Sequence, residues 1–148
     1  MHVSVGNLRT GRLPDHWPYN AGFDTIGGPV GWNGGLFVAY ALFENPRLFK
    51  KYLISSPSLW YHDEYLFQHE EKYFTDNKSL PAKVYLSAGE LEESLDSHMA
   101  TNMIRFGALL ESRHYKGLSL VKQFFNGENH CEVVAPAIHA GLKWALKK

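Results

Sequence analysis

Three stretches of this chain carry side chains suited to acyl-transfer chemistry. The first is Thr25-Ile-Gly-Gly-Pro-Val-Gly-Trp-Asn-Gly-Gly-Leu-Phe37. A short apolar strand ending near Ile26, a glycine-rich turn and an apolar helix from Gly35 to Phe43 have the layout of a nucleophile elbow. In such an elbow small residues let the backbone bend sharply and expose one side chain above a sheet. With Gly34 and Gly35 closing the turn, the exposed side chain is Trp32. An indole offers only an N–H donor and cannot attack an ester. The second stretch is Gly89-Glu-Leu-Glu-Glu93. A carboxylate there can accept the Nδ1 proton of a histidine, set its tautomer and stabilise the imidazolium. The same acids also suit the N-terminus of a following helix. The third is Gly127-Glu-Asn-His130, whose histidine stands ahead of the last helix, either as a general base or as one surface residue among eight histidines.

Other groups are weaker candidates. Ser55, Ser56 and Ser58 are hydroxyls near the end of a strand, and the ordinary role of such serines is to cap a turn. Cys131 follows His130 directly, and neighbouring residues rarely face each other. His62 and His69 lie seven apart on a polar helix without a third metal ligand at a fixed offset. No motif calls for a cofactor.

These groups need a frame. Met1 to Val5 alternates like a short strand, Asn7 to Gly22 reads as loop, and Phe23 to Ile26 is a strand ending at the elbow. Leu36 to Glu44 is a nearly all-apolar helix that Pro46 ends. Tyr52 to Ser55 is a buried strand, Asp63 to Phe74 a polar helix, and Lys83 to Ser87 a strand closing at Gly89. Ser97 to Arg113 is a helix with Met99, Met103, Phe106 and Leu110 on a core-facing stripe. Leu118 to Phe125 is the last strand and Glu132 to Leu146 the closing helix. Strand and helix alternate from Phe23 onward, which implies an α/β fold of three layers, a mostly parallel sheet with helices on both faces. Sites in such folds form at the C-terminal ends of the strands, here residues 27–33, 55–60, 89–94 and 126–130.

The bulk numbers agree. At 148 residues, 45% hydrophobic and 20% charged, the chain suits one globular domain, with 1–22 irregular and 23–148 running from elbow to histidine. Fifteen basic against fifteen acidic residues argue against a nucleic-acid partner. No apolar run approaches ~18 residues, so no membrane span is expected. One cysteine and no visible signal peptide suggest a reducing, cytoplasmic setting.

The order elbow, acid, histidine is that of the α/β-hydrolases. Four segments carry the likeness: Gly34-Gly-Leu-Phe-Val-Ala-Tyr-Ala-Leu42, Pro46 through Ser-Ser-Pro-Ser-Leu-Trp60, Leu86-Ser-Ala-Gly-Glu-Leu-Glu92 and Gly127-Glu-Asn-His130. They resemble the esterase family of α/β-hydrolases that contains the siderophore (enterobactin-type) esterases, over about Thr25 to Lys148. The resemblance implies Glu92 as triad acid, His130 as base, and a substrate pocket lined by Ser56, Ser58 and Trp60. It departs at the elbow, where the family reads Gly-His-Ser-x-Gly-Gly and this chain reads Val30-Gly-Trp-Asn-Gly-Gly35. Trp32 then stands at the nucleophile position, and the Asn33 N–H is one oxyanion donor. The second donor, which a loop ahead of the elbow supplies in whole family members, has no counterpart in Met1 to Gly22.

The expectation is therefore an esterase-like chain with a degenerate or incomplete site. The alternative is a non-catalytic pseudo-hydrolase, or a truncated chain, acting as a binding or oligomerising module. Its partners would be a small ester ligand and a second copy of itself. An uncovered elbow strand and an uncovered apolar helix Leu36–Phe43 would both favour pairing.

Overall fold

One strand, Lys83–Gly89, is buried at every residue after Lys83, and the fold is built on it. The computed structural model describes residues 34–94 and 98–147. In chain order the elements are α1 (Gly34–Glu44), β1 (Lys51–Ser55), α2 (Tyr61–Asp76), β2 (Lys83–Gly89), a short 3₁₀ turn (Glu90–Glu92), α3 (Met99–Ser112), β3 (Ser119–Phe125) and α4 (Val134–Leu146). The strands form a sheet of order β1-β2-β3, parallel throughout. Leu53 pairs with Tyr85 and Tyr85 with Val121, so a single register runs across the sheet. The expected strands Met1–Val5 and Phe23–Ile26 and the turn that holds Trp32 and Asn33 lie outside the described residues.

Successive strand residues face opposite sides, and the two sides find different helices. Leu86 faces α3 at Gly107, whereas Leu53 and Tyr85 face α4 at Gly141 and Trp144. Phe43 of α1 meets Phe106 of α3 edge-on at 6.2 Å, so α1 and α3 share a face. The three-layer α/β arrangement expected from the alternation is present. The stripe Met99, Met103, Phe106 and Leu110 is core, each residue at 3% exposure or less.

One expectation is corrected and another refined. The helix Leu36–Phe43 does not present an open apolar patch: Leu36, Ala39, Tyr40, Ala41, Leu42 and Phe43 are buried. Part of the cover comes from α2, where Tyr40 stacks on His69 at 4.9 Å and Phe43 packs on Tyr73 at 5.5 Å. The polar helix expected over Asp63–Phe74 is present and runs from Tyr61 to Asp76; what the expectation lacked is its irregular start. Its first turn is left-handed at His62, Asp63 and Glu64, with φ of 50°, 53° and 59°. Such backbone costs roughly 1–2 kcal/mol per residue. Arg105 of α3 grips both carboxylate oxygens of Glu64 and lies over the Phe67 ring, which ties this turn to the body of the fold. The remaining element ends coincide with the expected ones or differ by one or two residues, the usual fraying of helix and strand termini.

Candidate active site

Because the strands are parallel, β1, β2 and β3 all end at the same edge of the sheet, at Ser55, Gly89 and Phe125. The loops that follow them bring Ser56, Glu92 and His130 together.

Glu92 is the centre. It is the last residue of the 3₁₀ turn after β2, and its side chain is 1% exposed. A buried carboxylate is costly unless its oxygens are occupied. Here the Ser56 hydroxyl donates to Oε2 at 2.7 Å, and the Gly89 N–H donates to the same oxygen at 2.5 Å. Oε1 lies 2.5 Å from Nδ1 of His130. A carboxylate acceptor sets the tautomer with the proton on Nδ1, which gives Nε2 the lone pair. The histidine side chain is 29% exposed, wetter than its acid partner.

His130 is held by local chemistry as well. The Asn126-Gly127 turn after β3 uses glycine at a φ of +72°, and Gly127 N–H donates to Glu90 Oε2 at 2.9 Å. Leu91 N–H donates to the Glu128 carbonyl at 3.0 Å, so the acid loop and the histidine loop are stitched backbone to backbone. Gly89 is needed for this approach, since a Cβ there would sit 2.3 Å from the Glu128 carbonyl oxygen. Asn129 Oδ1 then accepts the N–H groups of Cys131 and Glu132 at 3.0 and 3.2 Å, fixing the turn that carries His130. Cys131 is a free, exposed cysteine.

The acids of 89–93 divide the two roles that spacing left open. Glu92 pairs with the histidine, whereas Glu93 accepts the Thr101 N–H at 2.9 Å at the start of α3. Ser56 and Ser58 are buried and Trp60 is half-buried in the loop after β1. His62 and His69 do not converge on a site. His62 is in the left-handed turn, and His69 is stacked between Tyr40 and Tyr65 with Nε2 3.2 Å from Glu44. Among the described residues no cluster of three or more metal-ligating side chains occurs. Sequence reasoning missed the bonds of Ser56 and Gly89 to Glu92. Gly-x-x-Glu carries a signal for the second, because a glutamate at the third position of a turn reaches back to the N–H at its start.

The fold and this geometry can be set beside known proteins. Over 115 residues, 76% of this chain, the sequence is 29% identical to the ferri-bacillibactin esterase BesA of Bacillus subtilis. Over 134 residues it is 30% identical to the siderophore triacetylfusarinine C esterase of Aspergillus fumigatus. The chain is a relative of the siderophore esterases. It spans 40% and 44% of the lengths of those two proteins, less than half of each. The crystal structure of the BES protein from Bacillus cereus superposes with a TM-score of 0.64 at 31% identity, covering 74% of this chain and 41% of that one. No family model matches the chain. This siderophore-esterase relative therefore has an α/β-hydrolase-like fold, and no described helix is long and apolar enough to cross a membrane.

Proposed function

We propose that this chain is an esterase-like protein that keeps the acid and base of a carboxylic ester hydrolase and carries Trp32 where the attacking serine belongs. The observation that supports this most is the buried Glu92 carboxylate bonded to His130 Nδ1 at 2.5 Å. In an ester hydrolase that pairing turns Nε2 toward the nucleophile's proton and stabilises the imidazolium that forms. Asn33, next after Trp32, would supply an oxyanion donor, and Ser58 and Trp60 would border the acyl group. Without a hydroxyl at the elbow no acyl-enzyme forms, and only the residual catalysis of binding and oxyanion contacts is left.

The ligand class comes from the relatives, whose names give ferri-bacillibactin and triacetylfusarinine C as substrates. This chain would bind such an ester-linked siderophore without turning it over. The test is hydrolysis of a short-chain nitrophenyl ester with and without a fluorophosphonate probe. The expected result is no probe-sensitive turnover and no labelled serine; a labelled serine would overturn the reading and name the substitute nucleophile. Titration of tryptophan fluorescence with each siderophore should saturate, and a flat titration removes the ligand assignment.

One observation favours self-association as a second part of the reading. Lys51 Nζ donates to the Ala145 carbonyl, which sets the start of β1 beside the end of α4. Phe49 at 44% exposure and Leu146 at 80% flank that contact in the sequence. Light scattering should give about twice the 16.8 kDa chain mass, and a clean monomer at micromolar concentration excludes the dimer.

A further inference from the structure

Ser56 combines two features that a turn-capping serine does not need. Its backbone has a φ of +45°, a left-handed conformation that costs a residue with a Cβ roughly 1–2 kcal/mol. Strain of this kind persists where the surroundings over-determine it, and it collects at functional sites. Two bonds do so here. The Ser56 N–H donates to the Ser87 carbonyl at 2.8 Å, continuing the β1–β2 ladder one residue past its end. With the backbone pinned, the side chain of this buried residue reaches across to Glu92 Oε2 at 2.7 Å.

The carboxylate geometry shows what that bond does. Glu92 has two oxygens and one of them must face His130. Ser56 and Gly89 both donate to one oxygen and His130 Nδ1 meets the other, so the three contacts together fix the plane of the carboxylate; a half-turn only exchanges equivalent oxygens, and any smaller turn strains all three bonds. A carboxylate terminal torsion is otherwise broad and roughly two-fold. Gly89 ends β2 and caps the 3₁₀ turn, so its bond ties Glu92 to its own strand. Ser56 follows the neighbouring strand β1, 36 residues away, and is the contact that ties Glu92 to a second strand of the sheet. We infer that Ser56 is a positioning residue for the acid–base pair: its hydroxyl, held by a left-handed backbone, orients the buried Glu92 carboxylate so that Oε1 meets His130. The same contact occupies the Ser56 hydroxyl, which sets this serine apart from the role of substitute nucleophile. The inference rests on the reading of Glu92 and His130 as an acid–base pair.

The experiment uses the whole chain with ¹⁵N-labelled histidine and follows the His130 Nδ1 proton by NMR. A proton shared with a buried carboxylate gives a far-downfield, slowly exchanging signal, assigned by its loss in His130→Gln. Ser56→Gly deletes the hydroxyl while allowing the left-handed backbone at no steric cost, so the fold is kept. The expected result is loss of the downfield position and exchange with water roughly 10- to 100-fold faster, the scale of one hydrogen bond to a charged group. Ser56→Ala, which keeps the Cβ and loses only the hydroxyl, should give the same change as Ser56→Gly. Ser87→Ala, whose side chain bonds Ser55 and not Glu92, should leave it unchanged. An unchanged signal in a folded Ser56→Gly protein overturns the positioning role and leaves the Glu92–His130 pair standing. A wild-type protein without any downfield histidine proton overturns the pair itself, and the inference with it.

Discussion

Replacing Gly35 with alanine sets two effects against each other. Glycine is a poor helix residue, and Gly35 lies inside α1, so alanine by propensity alone would stabilise by up to ~1 kcal/mol. The structure argues the reverse. A Cβ at Gly35 would lie 2.2 Å from the Ser55 carbonyl oxygen, 3.0 Å from Pro57 Cα and 3.1 Å from Pro57 N. All three are backbone atoms, and Ser55 is locked into the sheet by pairing with Ser87. The contact can be relieved only by lifting α1 off the end of β1, beside the loop that holds Ser56. Overpacking of this kind costs typically 1–3 kcal/mol, occasionally more. Subtracting the ~1 kcal/mol propensity gain leaves a net loss of up to about 2 kcal/mol, or up to roughly 8 °C in Tm for a chain of this size. Gly107→Ala is the matched control. It too lies inside a helix, but its Cβ would meet the Lys122 Cδ at 2.6 Å, the flexible stem of an exposed side chain. Lys122 can swing away at the cost of a surface ion pair with Glu111, about 0–1 kcal/mol. Gly107→Ala should therefore be neutral or slightly stabilising. Thermal unfolding followed by far-UV circular dichroism compares the two. A Gly35→Ala protein melting at or above wild type refutes the close-approach argument.

Three further outcomes are expected. Glu70 is fully buried and accepts from Arg113 Nε and Nη2 and from the Tyr115 hydroxyl at 2.7 Å, so Glu70→Ala should cost about 3 kcal/mol in urea unfolding, with Glu70→Gln costing less. Burial, opposed by Glu44, holds His69 below the usual histidine range. The unfolded chain then binds the extra proton first, so stability falls as pH drops below about 6.5, by at most ~1.4 kcal/mol per pH unit, and His69→Phe should flatten the urea midpoint over that window. Asn129→Ala removes the acceptor for two N–H groups beside His130 and should cost ~1 kcal/mol while speeding exchange of the Cys131 and Glu132 amides.

How much of this was legible in the sequence follows from the range of each interaction. The alternation of apolar runs and glycine-rich turns determined the elements, because strand and helix periods are local properties of the chain. The core stripe from Met99 to Leu110 was readable for the same reason. The order of elbow, acid and histidine narrowed the candidate site to a few loops, and parallel strands require those loops to share one edge. What spacing alone did not decide was which acid does what, although the family resemblance already implied Glu92. Glu92 and Glu93 are neighbours of the same type, and only the packing of the 3₁₀ turn sends one to His130 and the other to the start of α3. The cover over α1 was equally invisible, since part of it comes from α2, whose polar composition hides the tyrosines and histidine that close over Tyr40 and Phe43. Ser56 is the clearest case. A serine before a proline reads as a turn, and its partner is 36 residues away on the next strand's loop. Nothing local marks that distance; the parallel register of β1 and β2 closes it, because it brings Ser55 beside Ser87 and carries the next residue on to the carboxylate.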